Sequence, residues 1–239
     1  MTDSILSVRN LRVVFPHRHG KLVAIDNISF HIQRGEIIGF VGESGAGKSM
    51  TGAAIIGLID PPGYIERGEI WLDNLRIDQS VRGDASLIRG KRISMIFQDP
   101  VSALSPLLSI GDQISDVYRY STRATKSEGW DRALSLLEAL GIETPDKVAR
   151  RYPHQMSGGM AQRINIAMAL VCEPQLLLAD EPTGSLDKKN SEEIFILLKK
   201  QINPKRLIIF ATHNRFLANK SDCLLEMVDG NIKSTNVRV

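Results

Sequence analysis

The stretch Gly42-Glu43-Ser44-Gly45-Ala46-Gly47-Lys48-Ser49 matches G-x-x-x-x-G-K-[ST] at every fixed position. Glycines at these spacings let the backbone turn with positive φ and aim several N–H groups at one point. A phosphate chain is the ligand that such a concavity fits. A helix starting at Lys48 would add its positive N-terminal end. Lys48 can then reach terminal phosphates, and the Ser49 hydroxyl can ligate Mg²⁺. An incidental glycine loop is the alternative, and the strand-before, helix-after setting argues against it.

The apolar run Leu176-Leu177-Leu178-Ala179 ends in Asp180-Glu181. Carboxylates at the C-terminal end of a buried parallel strand sit where ligands bind in open α/β sheets. Asp180 can hold a Mg²⁺ shell, and Glu181 can polarise an attacking water as general base. A third feature lies in Tyr152-Pro153-His154-Gln155-Met156-Ser157-Gly158-Gly159-Met160-Ala161-Gln162-Arg163. Ser157 is placed to cap a helix running through Ile164, Ala167 and Leu170, and Gly158 and Gly159 leave bare N–H groups at its start. That is a second anion-binding terminus. One triphosphate does not need two such cradles from one chain, so a second copy or a relative could place this one over the first copy's nucleotide.

Elements that position these groups can be read from the patterning. Ile5 to Val14 and Ile28 to Ile32 read as short strands. Glu36 to Val41 is a nearly continuous apolar run, as expected of a strand buried on both faces, and it leads into the glycine loop. A helix is expected from Lys48 to about Leu58, with Pro61-Pro62-Gly63 beyond it. Ile93 to Phe97 reads as another strand. Residues 101–164 read as helical, with Trp130 to Leu140 at helical spacing and Gly141 as its C-cap. Asn190 is placed to cap a helix through about Lys200, Leu207 to Ala211 forms a buried strand ending at Thr212-His213, and the tail turns as a hairpin at Asp229-Gly230. Strands alternating with helices imply an α/β class with a mainly parallel sheet. The expected organisation is one domain over 1–239, an α/β core from 1–100 and 165–239 with a helical subdomain at 101–164.

The chain has 239 residues and 30 Lys+Arg against 27 Asp+Glu, a net charge of +3. That charge is too small, and its basic residues too scattered, to imply nucleic acid. Cys172 and Cys223 lie far apart, which argues against a disulfide scaffold. No apolar run is long enough to cross a bilayer, and the first residues lack the basic and apolar regions of a secretory signal. His17 and His19 read as a solvated turn for want of a third ligand, and Cys172 reads as core.

Taken together, the motifs resemble those of the ATP-binding subunits of ABC transporters, in the same order and over nearly the whole chain. Met156-Ser157-Gly158-Gly159-Met160 is similar to that family's signature motif, Gln98 to its Q-loop glutamine, Ser185-Leu186-Asp187 to its D-loop and His213 to its switch histidine. Tyr152-Pro153-His154-Gln155, Met160 and the segment Gln98 to Pro106 resemble the oligopeptide, dipeptide and nickel importer branch. Asn214 stands where an aspartate is usual and Ala161 where a basic residue is common. Members of the branch usually run several tens of residues past a tail like this one, through a cysteine-containing extension.

The resemblance implies a P-loop NTPase (RecA-like) core with an N-terminal antiparallel β subdomain and an inserted α-helical subdomain. It implies ATP and Mg²⁺, with Gln98 sensing the γ-phosphate and Mg²⁺, His213 bonding the γ-phosphate and Phe15 stacking on adenine. It also implies a second ATP-binding subunit, identical or paralogous, two membrane-spanning permeases and a solute-binding protein. The place of work would be the cytoplasmic face of the inner membrane. An export or lipoprotein-release cassette is the competing reading. A soluble ABC ATPase acting on DNA or ribosomes is disfavoured, because the interval between phosphate loop and signature holds no sustained heptads and only one cassette is present. A P-loop kinase or GTPase has no use for Ser157-Gly158-Gly159.

Overall fold

The computed structural model describes residues 4–78 and 88–237. Residues 1–3, read above for a signal, lie outside them. In chain order the elements are β1 (Ser4–His17), β2 (Gly20–Gln33), β3 (Ile37–Val41), α1 (Lys48–Ile56), β4 (Tyr64–Leu72), β5 (Leu75–Arg76), β6 (Ile93–Ile96), α2 (Ile110–Thr122), α3 (Lys126–Ala139), α4 (Pro145–Ala149), α5 (Gly158–Leu170), β7 (Leu176–Asp180), α6 (Lys188–Lys199), β8 (Leu207–Thr212), α7 (Arg215–Ala218), β9 (Cys223–Val228) and β10 (Asn231–Val237). They group into two compact units. One comprises the described residues within Met1–Ser86 and Gln201–Val239, the other those within Leu87–Lys200.

The first unit carries an antiparallel sheet in the order β2-β1-β4-β5. Its strands are longer than the sequence suggests, and β4 was not expected at all. The cause lies in interruptions that hide the period-2 pattern. Register shifts break β1 against β2 between Val8 and Leu11 and again before Val14. Asn10 and Asn27 adopt left-handed φ of 48° and 59° at these irregularities. In β4 the run Glu66-Arg67-Gly68-Glu69 reads as polar loop, yet Glu66 accepts from Lys21 Nζ at 2.6 Å and from Arg12 Nε at 2.8 Å. Those bonds, Lys21 first, hold the Glu66 carboxyl below the usual carboxylate range. The opposite face buries Leu6, Val8, Leu11, Val13, Ile28, Ile70 and Leu72.

The same unit holds β3, fully buried, flanked in parallel by β8 and β9, with β10 added antiparallel to β9. Apolar residues on both faces make β3 and β8 near-continuous hydrophobic runs, as helices and sheet cover them from each side. The β9–β10 hairpin turns at Asp229-Gly230 as expected, with φ of 47° and 73°.

In the second unit β6 and β7 pair in parallel, Ile93 opposite Leu176 and Ile96 opposite Ala179. Among the described residues, 101–164 hold α2, α3, α4 and the start of α5, and no strand. Their boundaries follow from caps. Ser109 accepts from Asp112 N–H at the start of α2, Thr125 and Glu128 form a capping box on α3, and Ser157 accepts from Met160 N–H at the start of α5. One sequence expectation is corrected here. Asp187, not Asn190, caps α6, because its carboxylate accepts from the Asn190 N–H at 3.0 Å and from the Asn190 side chain at 2.6 Å. Cys172 is half-buried rather than core.

Phe210 in β8 is 0% exposed. Phe210→Ala is expected to destabilise the protein by about 3–5 kcal/mol, read from urea unfolding.

Candidate functional site

The first unit brings together the phosphate loop and the switch histidine position. Parallel pairing sets Val41 of β3 opposite Thr212 of β8, so Gly42 and His213 leave from adjacent strand ends. Gly45 and Gly47 take φ of 83° and 101°, which side-chain-bearing residues rarely adopt. No side chain caps α1, which begins directly at Lys48. A helix start of this kind leaves its first N–H groups to a ligand. Lys48 is buried at 6% exposure, and its Nζ donates to the Gly42 carbonyl at 2.9 Å and the Glu43 carbonyl at 3.0 Å. The ammonium is thus held across the loop mouth. Glu43, Ser44, Gly45 and Ser49 are exposed and Ala46 is buried.

His213 is exposed one residue past β8. Asn214, which departs from the usual aspartate, caps α7 through Oδ1, accepting from Phe216 and Leu217 N–H. An amide oxygen serves this cap as a carboxylate would. Phe15 is half-buried, and its ring crowds Gly63: a Cβ there would stand 2.5 Å from Phe15 Cε1. The absence of a side chain at Gly63 is what lets the ring lie against that turn.

The second unit gathers the other sequence-predicted residues. Gln98 lies two residues beyond β6 and Asp180 ends β7, and the parallel register puts these strand ends side by side. Asn165 of α5 donates to the Phe97 carbonyl at 3.5 Å and ties the root of the Gln98 loop to the helix that Ser157 caps. Glu181 is buried at 8% exposure, with a left-handed φ of 45°. Such a conformation is uncommon for glutamate and costs energy that the surrounding structure must offset. A tight turn holds it, with Gly184 N–H donating to the Glu181 carbonyl at 2.9 Å. A Cβ on Gly184 would find Gln98 Nε2 at 3.6 Å, so Gln98 and the Glu181 turn are neighbours.

Ser157 and Gly158 are exposed, and the start of α5 lies beside Leu186 and Asn190. A Cβ on Gly158 would meet nothing nearer than Leu186 Cδ2 at 3.9 Å, and one on Gly159 nothing nearer than Asn190 Oδ1 at 3.4 Å. Neither glycine has positive φ.

The ABC transporter family profile matches residues 25–184. The chain belongs to the ABC transporter family. The oligopeptide transport ATP-binding protein OppD of Bacillus subtilis (strain 168) is 42% identical over 97% of this chain and 65% of its own length. The dipeptide transport ATP-binding protein DppD of the same organism is 40% identical over 99% of this chain and 71% of its own. The chain therefore spans about two thirds of these ABC relatives' length. Among solved structures, the ATP-binding cassette MJ0796, dimeric in a post-hydrolysis state and bound to ADP and Pi, superposes with a TM-score of 0.86. It is 28% identical and covered over 98% of its chain, against 97% of this one. The α/β P-loop fold expected from the sequence is thus the fold of an ABC cassette.

Sequence reasoning missed two features of this ABC cassette. The left-handed Glu181 carries no compositional signal. The Asp187 cap could have been found, since Asp187 precedes Asn190 at the spacing of a side-chain cap on the third residue of a helix. The backbone and side-chain bonds from Asn190 hold the Asp187 carboxyl below its ordinary value. A depressed folded-state pKa stabilises above the unfolded value and loses that stabilisation as pH falls through the folded value. The melting-temperature gap between the unaltered protein and Asp187→Ala is therefore expected to be wider at pH 6 than at pH 3, followed by circular dichroism.

Proposed function

We propose that this chain binds and hydrolyses ATP and thereby powers a membrane ABC importer for peptides. Its partners in this reading are a second ATP-binding subunit, identical or paralogous, two permease subunits and, through the complex, a solute-binding protein. Relatives named for oligopeptide and dipeptide transport support the peptide class. None of the described helices is long and apolar enough to cross a membrane, so the permeases would hold the chain at the cytoplasmic face of the inner membrane.

The observation that carries the reading is the phosphate loop. Left-handed Gly45 and Gly47, an uncapped α1 and a buried lysine at the loop mouth together suit a polyphosphate. Adenine would stack on Phe15. Ser49, Asp180 and Gln98 present oxygen donors of the kind Mg²⁺ takes. Bound Mg²⁺ would offset phosphate charge and orient the γ-phosphate.

This chain's residues then divide the work. Glu181 accepts a proton from the attacking water as its oxygen bonds to the γ-phosphorus, and the bond to the β-phosphate oxygen breaks to release ADP and phosphate. Lys48 and His213 stabilise the charge that develops on the γ-phosphate oxygens. Gln98 follows the γ-phosphate and passes its state to the permease through the segment that ends at Pro106.

Ser157, Gly158 and Gly159 act on the nucleotide of the partner cassette. Their support is steric: the chain's own packing leaves room for a side chain at Gly158, so the bare helix start suits close approach from outside. ATP between two cassettes would close them, and hydrolysis would let them part.

Glu181→Gln is expected to lower phosphate release by about 10²–10⁴-fold while nucleotide affinity, read by fluorescence titration, stays within about threefold. Unchanged turnover would remove Glu181 as the base. Gly158→Leu is expected to keep the protein monomeric with ATP in light scattering and to abolish turnover; full-speed hydrolysis by that variant would overturn the shared site.

A further inference from the structure

The β9–β10 hairpin lies against the phosphate loop at several points, and all of the residues involved belong to the first unit. β9 runs parallel to β3 with Glu226 opposite Val41, so it approaches its end where the loop begins. A Cβ on Gly42 would stand 2.4 Å from the Met227 carbonyl oxygen. In the first turn of α1, the Thr51 hydroxyl donates to the Gly47 carbonyl at 2.9 Å and lies 3.8 Å from Met227 Sδ. Between these contacts the Asp229-Gly230 turn sits between the loop and β2. Gly230 N–H donates to the Ala46 carbonyl at 3.1 Å, and the Gly230 carbonyl accepts from Asp26 N–H at 2.9 Å.

This stack has no slack. A Cβ on Gly230 would fall 2.6 Å from the Ala24 carbonyl oxygen and 3.2 Å from Ile25 Cα. A Cβ on Gly47 would fall 2.8 Å from Ile25 Cδ1 and 3.3 Å from Gly230 Cα. Backbone is packed on backbone through three layers: β2, the turn and the loop.

The consequence follows from peptide geometry. In a planar trans peptide the carbonyl of one residue and the N–H of the next point in opposite directions. Holding the Ala46 carbonyl on Gly230 therefore turns the Gly47 N–H away from the hairpin, toward the concave side of the loop. We propose that Gly230 is a positioning residue for nucleotide binding, its N–H fixing the Ala46–Gly47 peptide in the orientation that offers the Gly47 N–H to phosphate. The proposal rests on the reading that this loop binds ATP.

The test compares the full chain with Gly230→Ala, Gly230→Asn and Asp229→Ala. Asp229 also has positive φ, at 47°. Replacing it strains the same turn but adds no atom between β2 and the loop. Gly230→Asn adds the same Cβ but tolerates a left-handed φ, so it separates the collision from backbone strain. If neither folds, an ester in place of the Asp229–Gly230 amide, introduced by ligating a synthetic 223–239 peptide at Cys223, removes the N–H donor while adding no atom, and is read by the same titration. Affinity for MgATP and MgADP is read by titration calorimetry, alongside steady-state ATPase kinetics and nucleotide-free melting temperature. Both Gly230 variants are expected to weaken both nucleotides by about tenfold or more, with a matching rise in KM and kcat within about threefold. Asp229→Ala is expected to stay within about twofold of the unaltered affinity. Lower melting temperatures with unchanged affinity and KM would overturn the proposal, as would equal weakening by Asp229→Ala. Failure of the unaltered protein to bind MgATP would instead remove the ATP reading on which it stands.

Discussion

A loop that binds anions through its N–H groups must turn its carbonyls elsewhere, and each of those carbonyls needs a partner of its own. The Gly42 and Glu43 carbonyls accept from Lys48 Nζ. The Ala46 carbonyl accepts from Gly230, and the Gly47 carbonyl from both the N–H and the hydroxyl of Thr51. Those donors come from the loop's own lysine, from the helix that follows and from a hairpin near the far end of the chain. The cradle is therefore a tertiary structure as much as a local one. β3 must be buried between β8 and β9 before the hairpin can stand beneath it.

Parallel strands make the rest of the chemistry possible. Their C-terminal ends collect loops at one edge, so residues distant in sequence become neighbours without a long loop. Val41 opposite Thr212 does this for Gly42 and His213, and Ile96 opposite Ala179 does it for Gln98 and Asp180. Glu181 departs from this regularity. Its left-handed backbone turns the chain sharply off β7, and the bond from Gly184 secures the bend. A residue with that strain, buried at a strand end beside Gln98, suits the role of base proposed for it.

The parts of this molecule legible in the sequence are those whose geometry is local or whose burial is two-sided. The glycine loop, the apolar strands β3, β7 and β8, the Ser157 cap and the Asp229-Gly230 turn each carry their own instructions in adjacent residues. The antiparallel sheet does not, because bulges at Asn10 and Asn27 reset its period and ion pairs across Arg12, Glu66 and Lys21 make β4 look like a loop. Asn190 was misread as a cap because both Asp187 and Asn190 are good cap residues, and only the start of the helix distinguishes them. The link between Gly230 and Ala46 was out of reach for a different reason: nothing in a two-residue turn announces what lies against it.

Glycines sort by what would happen if they were replaced, and that sorting bears on how the cassette works. At Gly42, Gly63, Gly68 and Gly230 an added Cβ would collide with this chain at 2.4–2.6 Å, so internal packing accounts for them. Gly158 is different. Its φ is ordinary and its surroundings are open, so nothing in the chain's own packing excludes a side chain there. Internal packing therefore gives no reason for glycine at this position. The proposed approach of a partner's nucleotide to this helix start, closer than a methyl group would allow, would account for it. Ser157 accepts from the Met160 N–H and so fills the cap from within the chain; in the proposed shared site, the bare start at Gly158 is the part of this helix that a partner's nucleotide would approach.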